Sequence, residues 1–235
     1  MVRTIYSLNP ATGKKIKRYR LATIQELEKA FAYGHKAQET WKQIPLKERA
    51  IFFKRLARLL LKRKKTYAEM ITTEMGKPIT QAIGEIEKCA WCCMYYAANS
   101  KKFLRDEHIT TENKKSYITF NPLGAILAVM PWNFPFWQVI RCSTPALAMG
   151  NTVLLKHSNV VPGCSLQIQD LFDDAQFPHG TFQSLLTDAR GVSHLIPKTD
   201  GVSVTGSVET GKAVAQQALR HVKKVVLELG GSDPF

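Results

Sequence analysis

The sequence predicts an α/β protein with two regions: a helical N-terminal region over residues 1–120, then an open parallel sheet with helices on both faces over residues 121–235. Three observations carry this. Apolar residues recur at helical spacing as far as about Asn99. After residue 120 the texture changes to five short apolar runs of strand length. Those runs alternate with helix-length stretches through short connections, the pattern of successive parallel β-α-β units.

The helices come first. Thr23 is an N-cap candidate with Glu26 three residues on, the spacing of a capping box. A helix is expected from Ile24 towards Trp41, ended by Pro45, and a second from Leu46 to about Lys64. A third, short helix ends near Gly76. A fourth starts after Pro78 and reaches about Asn99, with Ile83, Ile86, Ala90, Met94 and Ala97 on one side. Ser116 to Asn121 alternates apolar and polar residues, as an exposed strand does. The five core strands are expected at Ile126–Met130, Thr152–Leu155, Phe182–Leu186, Gly201–Val204 and Lys224–Leu227. Helices are expected between them, at Pro135–Met149, Cys164–Phe172, Arg190–Ile196 and Val208–Leu219.

Composition narrows the class of function. A chain of 235 residues with 45% apolar residues buries a core without disulfide staples. It has no run of about 18 uncharged apolar residues, which predicts no membrane partner. The stretch Met1 to Asn9 lacks the apolar centre of a secretion signal. Five cysteines, an odd number, point away from a disulfide framework and towards a reducing cytoplasm. The net charge of +14 invites a nucleic-acid reading. The densest basic run, Lys62-Arg63-Lys64-Lys65, closes an amphipathic helix with apolar Ile51, Leu56, Leu59 and Leu60, so a solvated helix end accounts for it. No interleaving of aromatic and basic residues accompanies it, and no nucleic-acid partner is expected. The positive field favours an anionic dinucleotide or a carboxylate substrate.

Three runs follow expected strand ends, where ligands bind in such sheets. In Met130-Pro131-Trp132-Asn133-Phe134-Pro135, two prolines stiffen a loop that can hold the Asn133 amide where an oxyanion develops. An asparagine between prolines is also an ordinary turn former. In Val204-Thr205-Gly206-Ser207-Val208-Glu209-Thr210-Gly211, Gly206 permits close backbone approach, and Ser207 with the first-turn amides can receive a phosphate. Gly-Ser at a helix start is equally a plain cap. In Val226-Leu227-Glu228-Leu229-Gly230-Gly231, Glu228 is a carboxylate between leucines at a strand end. There it is either a desolvated general base or a surface residue on a polar face.

Taken in order, the runs MPWNFP, GNTVLLKHSN, VTGSVETG and LELGGSDPF resemble the aldehyde dehydrogenase superfamily. Asn9-Pro10-Ala11-Thr12-Gly13 and Glu74-Met75-Gly76-Lys77-Pro78 match as well, so the likeness covers essentially the whole chain. LKHSN, LLTD and LELGGSDPF are similar to the succinate-semialdehyde dehydrogenase branch. The resemblance implies the Rossmann-like sheet of the aldehyde dehydrogenase fold, truncated, with NADP or NAD as cofactor and an aldehyde as substrate. It implies that Asn133 stabilises the oxyanion and that Glu228 activates water for deacylation. It also implies that Lys156 bonds the adenosine ribose, that Gly206 and Ser207 contact the pyrophosphate, and that Pro131 and Trp132 shape the cleft. Ser158 and Asn159 complete the adenosine end. The neutral Asn159 stands where many NAD-selective relatives carry an acid, so NADPH is expected to bind at least as tightly as NADH. Arg141, eight residues after Asn133, would hold a distal substrate carboxylate. The resemblance also implies that the strand at Ser116 to Asn121 belongs to a hairpin used in the contacts of a homo-oligomer.

The family's nucleophilic cysteine falls after the ELGG run, so the chain is expected to stop before it. Cys89, Cys92 and Cys93 fall at helical spacing with no second ligand pair, which favours core packing over zinc and predicts no metal. Two readings of function follow. One is an aldehyde dehydrogenase present without its nucleophile. The other is an inactive nucleotide-binding or interaction remnant.

Overall fold

The structure, a computed structural model, describes residues 3–232. Residues 1–2, the head of the stretch read as lacking a secretion signal, and residues 233–235, the tail of the LELGGSDPF run, lie outside it. The chain opens with a hairpin that the helical reading of the first third passes over. Strand β1 (Thr4–Leu8) pairs antiparallel with β2 (Lys15–Arg20) around a turn in which Asn9 Oδ1 accepts from the Ala11 amide at 2.9 Å. Four of the six β2 residues are basic and five are exposed, so it carries no apolar alternation to read. Buried Ser7, Tyr19 and Leu21 seat it on the body.

Helix α1 (Ile24–Trp41) starts with the expected capping box. The Glu26 amide donates to Thr23 Oγ1 at 3.2 Å, and the Thr23 amide donates to Glu26 Oε2 at 2.8 Å. Arg20, hydrogen-bonded to Glu26, draws that carboxyl down to about 2. Helices α2 (Leu46–Lys62), α3 (Lys64–Met75) and α4 (Ile79–Phe103) follow at nearly the expected bounds. The basic run spans the α2–α3 junction. Arg63 pairs with Asp174, and Lys64 Nζ lies 2.6 Å from Glu87 Oε1. The expected strand at Ser116 to Asn121 shrinks to β4 (Tyr117–Ile118), which pairs with β3 (Glu107–His108). All four residues of the two strands are exposed, so no buried face fixes a longer register.

The five core strands are β5 (Ala125–Met130), β6 (Thr152–His157), β7 (Phe182–Ser184), β8 (Gly201–Gly206) and β9 (Lys224–Leu229). They are all parallel and lie in the order β7-β6-β5-β8-β9. Helices α5 (Trp137–Met149), α6 (Pro162–Asp174), α7 (Ala189–Leu195) and α8 (Val208–Arg220) join them, as expected. Gly150 ends α5 in the left-handed region at φ 101°, where a Cβ would also sit 2.6 Å from Arg49 Nη1.

Strand alternation sorts the apolar residues into two cores. Ala128, Met130, Val153 and Leu155 face one side and pack with α2 to α6, with Trp41 at the end of α1 and with Phe136 just before α5, Phe53 and Phe172 among them. Leu127, Val129, Leu154, Val202 and Val204 face the other side and pack with Leu27 of α1, Val192 and Leu195 of α7, and Val214 of α8. Helices therefore cover both faces, and fully apolar β5 lies at the centre.

Candidate active site

The chain leaves β5 towards β6 on one side, while β8 pairs with β5 on the other. That reversal of strand order opens a crevice beyond the carboxyl ends of β5 and β8. A cleft of about 430 Å³ lies there. Pro131, Trp132 and Asn133 line it from the end of β5, Gly206 and Ser207 from the end of β8, and Glu228 from the end of β9. Three runs that are far apart in sequence thus meet at one opening. Trp132 and Asn133 are exposed on its rim.

The β5–α5 loop is held from behind. Glu85 of α4 is 1% exposed at its side chain, and its Oε1 accepts from the amides of Phe136 at 2.9 Å and Trp137 at 3.0 Å. Helix α5 has no side-chain cap of its own, so this carboxylate serves as one. Glu85 Oε2 pairs with Lys77 Nζ, which also lies 3.6 Å from the centre of the Phe134 ring. His157, at the end of β6, reaches the Pro135 carbonyl with Nε2 at 2.9 Å. Its Nδ1 accepts from the Ser158 amide at 2.9 Å, so Nε2 carries the proton and donates. Burial pushes the His157 imidazole down to about 4, which keeps it neutral.

None of Lys77, Glu85 and His157 was read as part of the site. The signal existed for Glu85. It stands on the apolar face of α4 with Ala82, Ile86 and Cys89, where a carboxylate needs a partner.

Of the two readings left open for Glu228, the structure fits the surface residue and not the desolvated one. Its side chain is 49% exposed, because β9 is the edge strand of the described sheet, and its Oε1 lies 3.5 Å from Arg141 Nη1. Arg141 is on the second turn of α5 and is 37% exposed. Ser207 caps α8, its Oγ accepting from the Thr210 amide at 3.2 Å. The amides of Val208 and Glu209 have no intrahelical acceptor by position. Lys156 lies half-buried at the end of β6, and desolvation lowers its ammonium, with Asp188 opposing. Ser158 and Asn159 follow it, half-buried and outside the cleft lining.

No cysteine lines the cleft. Cys89, Cys92 and Cys93 sit in α4, Cys142 in α5 and Cys164 in α6, and burial raises every one of these thiols. No group of three or more metal-ligating side chains occurs among the described residues, and no helix there is long and apolar enough to cross a membrane.

The sequence matches the aldehyde dehydrogenase family over residues 2–235. The chain belongs to the aldehyde dehydrogenase family. Relatives within that family carry the same emphasis. A probable succinate-semialdehyde dehydrogenase (NADP+) of Synechocystis sp. is 42% identical over 233 residues, which is 98% of this chain and 51% of that protein. A succinate semialdehyde dehydrogenase (NAD(P)+) of Escherichia coli K12 is 42% identical, across 97% of this chain and 50% of its own length. The crystal structure of succinic semialdehyde dehydrogenase from Streptococcus pyogenes, in complex with NADP+, superposes with a TM-score of 0.95 at 32% identity. That match covers 97% of this aldehyde dehydrogenase chain and 51% of the Streptococcus chain. The chain thus spans about half the length of the curated relatives it matches.

Proposed function

We propose that this chain supplies the cofactor-binding half of an aldehyde dehydrogenase. The enzyme would oxidise a carboxylate-bearing aldehyde, succinate semialdehyde, to the dicarboxylate with NADP+ or NAD+. The observation that carries the reading is the cleft at the strand-order reversal, which Asn133, Ser207 and Glu228 reach from three separate strand ends.

The cleft suits a dinucleotide. Gly206 presents bare backbone there, with no atom nearer than 3.8 Å to a Cβ built on it. The first turn of α8 turns its N-terminal end towards the cleft, with the Val208 amide unclaimed by position. Beyond the cleft lining, at the end of β6, Lys156 offers a half-buried ammonium. Lys156, Ser158 and Asn159 would hold the adenosine ribose, Gly206 and Ser207 the pyrophosphate, and Pro131 and Trp132 the wall of the cleft. Bound there, NADP+ or NAD+ supplies the hydride acceptor. The neutral amide of Asn159 repels no 2′-phosphate, so NADPH binds at least as tightly as NADH.

Asn133 donates its side-chain N–H to the oxyanion that forms at the aldehyde carbon. Glu228 takes a proton from the water that releases the acyl group, and Arg141 forks onto the distal carboxylate of the substrate. The nucleophilic thiol lies in the half of its relatives' length that this chain does not span. Residues 1–120 act as the helical support and residues 121–235 as the cofactor-binding core. The β3–β4 hairpin serves contacts between subunits, and five unpaired thiols suit a reducing cytoplasm.

A fluorescence titration of the purified chain with NADPH and NADH tests this reading. Saturable binding, with NADPH at least equal to NADH, is expected. No binding by a folded, monodisperse chain sinks the reading, and clearly tighter NADH binding sinks its cofactor part.

A further inference from the structure

We infer that Lys77 and Glu85 form a positioning pair that sets the Asn133 amide for catalysis from the helical layer behind the cleft. The inference rests on the proposed role of Asn133 as the oxyanion donor.

Asn133 itself is exposed on the rim of the cleft. Each of the next four residues has its own hold. Phe134 lies under the Lys77 ammonium, 3.6 Å from ring centre to Nζ. The Pro135 carbonyl accepts from His157 Nε2 at 2.9 Å. The Phe136 and Trp137 amides both donate to Glu85 Oε1. The Phe136 ring is fully buried, 5.1 Å from the ring of Tyr67. Lys77 and Glu85 bind each other and are 7% and 1% exposed at their side chains.

Such a pair is an unlikely choice for stability alone. Two charges taken out of water are expensive, and an apolar pair of similar volume packs as well or better. Its distinguishing feature is direction. One carboxylate holds two adjacent amides, and one ammonium holds the ring before them, so the entry of the loop into α5, directly after Asn133, is held at Phe134, Phe136 and Trp137. Lys156 and Ser207 approach the cofactor from β6 and α8, so loss of the pair displaces Asn133 and leaves their contacts in place. An oxyanion donor moved by about 1 Å loses on the order of 100-fold in rate.

The test compares Lys77→Met, Glu85→Gln, the double variant and Asn133→Ala in the full chain of the enzyme, with kcat, KM and cofactor Kd measured separately. Exchange of the Phe136 and Trp137 amides is followed in parallel. Lys77→Met leaves a buried carboxylate unpaired, and Glu85→Gln leaves a buried ammonium unpaired. The double variant carries neither charge yet keeps an amide oxygen for Phe136 and Trp137. Expected is a fall in kcat of roughly 10- to 100-fold in each single variant. Cofactor Kd should stay within about twofold, amide exchange should quicken, and kcat should recover partly in the double variant. Faster exchange with unchanged kcat overturns the inference. So does a parallel loss of kcat and cofactor affinity, which marks a merely structural pair. If Asn133→Ala leaves kcat intact, the reading of Asn133 has failed and the inference falls with it. If Asn133→Ala abolishes turnover and Lys77→Met leaves kcat unchanged, the inference alone fails.

Discussion

Arg141 Nη1 lies 3.5 Å from Glu228 Oε1, joining the second turn of α5 to the end of β9, where Glu228 lines the cleft. In the proposed reaction these residues have separate tasks, one for the substrate's distal carboxylate and one for water. Here the two side chains pair with each other. In the proposed reaction a substrate carboxylate would compete for Arg141 and release Glu228. Replacing Arg141 with Leu in the full enzyme should therefore raise KM for succinate semialdehyde by about 10- to 100-fold, the loss of one charge-assisted hydrogen bond of about 1.5–3 kcal/mol. KM for an unbranched aliphatic aldehyde should change little. Steady-state kinetics with the two substrates decide it, and equal effects on both would remove the role.

Lys156 is the one proposed cofactor ligand whose ammonium is held low by burial. A bound 2′-phosphate or ribose oxygen favours the charged form. Affinity for NADPH should then fall as pH rises through the lowered value of Lys156, and NADH affinity should fall less. For the protein alone the sign is the reverse. The unfolded chain binds more protons than the native one between the lowered value and 10.5, so this residue makes stability rise with pH across that window. Titrations of both cofactors across alkaline pH, repeated with Lys156→Ala, check the prediction. An alanine variant that keeps the same NADPH slope would refute it.

The architecture was legible because strands buried on both faces write themselves as apolar runs, as Ile126 to Met130 does. The capping box at Thr23 and Glu26 was legible because its residues are local. The motifs at Asn133, Ser207 and Glu228 were legible only jointly, since each alone reads as a turn, a cap or a surface residue. What could not be read is long-range. Glu85 bonds amides 51 and 52 positions away, and Glu74 bonds amides 89 and 90 away. No periodicity encodes such a pairing. The β1–β2 hairpin was missed for the opposite reason, because a thin, basic, exposed ribbon shows no apolar pattern. The leucines beside Glu228 left both a desolvated and a surface carboxylate open, because neighbours in an edge strand do not decide solvent access.

His157 makes the loop around the cleft sensitive to acid. Its imidazole is depressed from 6.5 to about 4 by burial, with Lys156 adding to the effect, while the Pro135 and Met130 carbonyls oppose it. The unfolded chain takes up a proton that the native one refuses between those values. Stability contributed by the neutral ring is therefore fully present above pH 6.5 and is lost as pH falls towards 4. The span corresponds to about 3 kcal/mol. His157→Gln should flatten the slope of unfolding free energy against pH in this window, measured by urea denaturation. An unchanged slope would mean that other groups set the acid limit.

Glu74 caps α6 as Glu85 caps α5. Its Oε1 accepts from the Gly163 amide and its Oε2 from the Cys164 amide, both at 2.9 Å, and the residue is 1% exposed. Val161, at the head of α6, offers no side-chain cap, so this carboxylate from α3 satisfies amides that would otherwise be buried bare. Burial raises its carboxyl above 4.5, so the native chain holds its proton longer than the unfolded one, and ionisation costs stability as pH rises through that interval. Glu74→Ala should lose about 2–4 kcal/mol by leaving two amides unpaired. Glu74→Gln should lose less at neutral pH, because it keeps one acceptor oxygen and carries no buried charge. Gly163→Ala should mimic the alanine variant, since its Cβ would fall 2.8 Å from both Glu74 Oε1 and Met70 Sδ. If Glu74→Ala with Gly163→Ala is no worse than either alone, one cap accounts for both losses. Additive losses would show that the glycine matters for packing against Met70 instead.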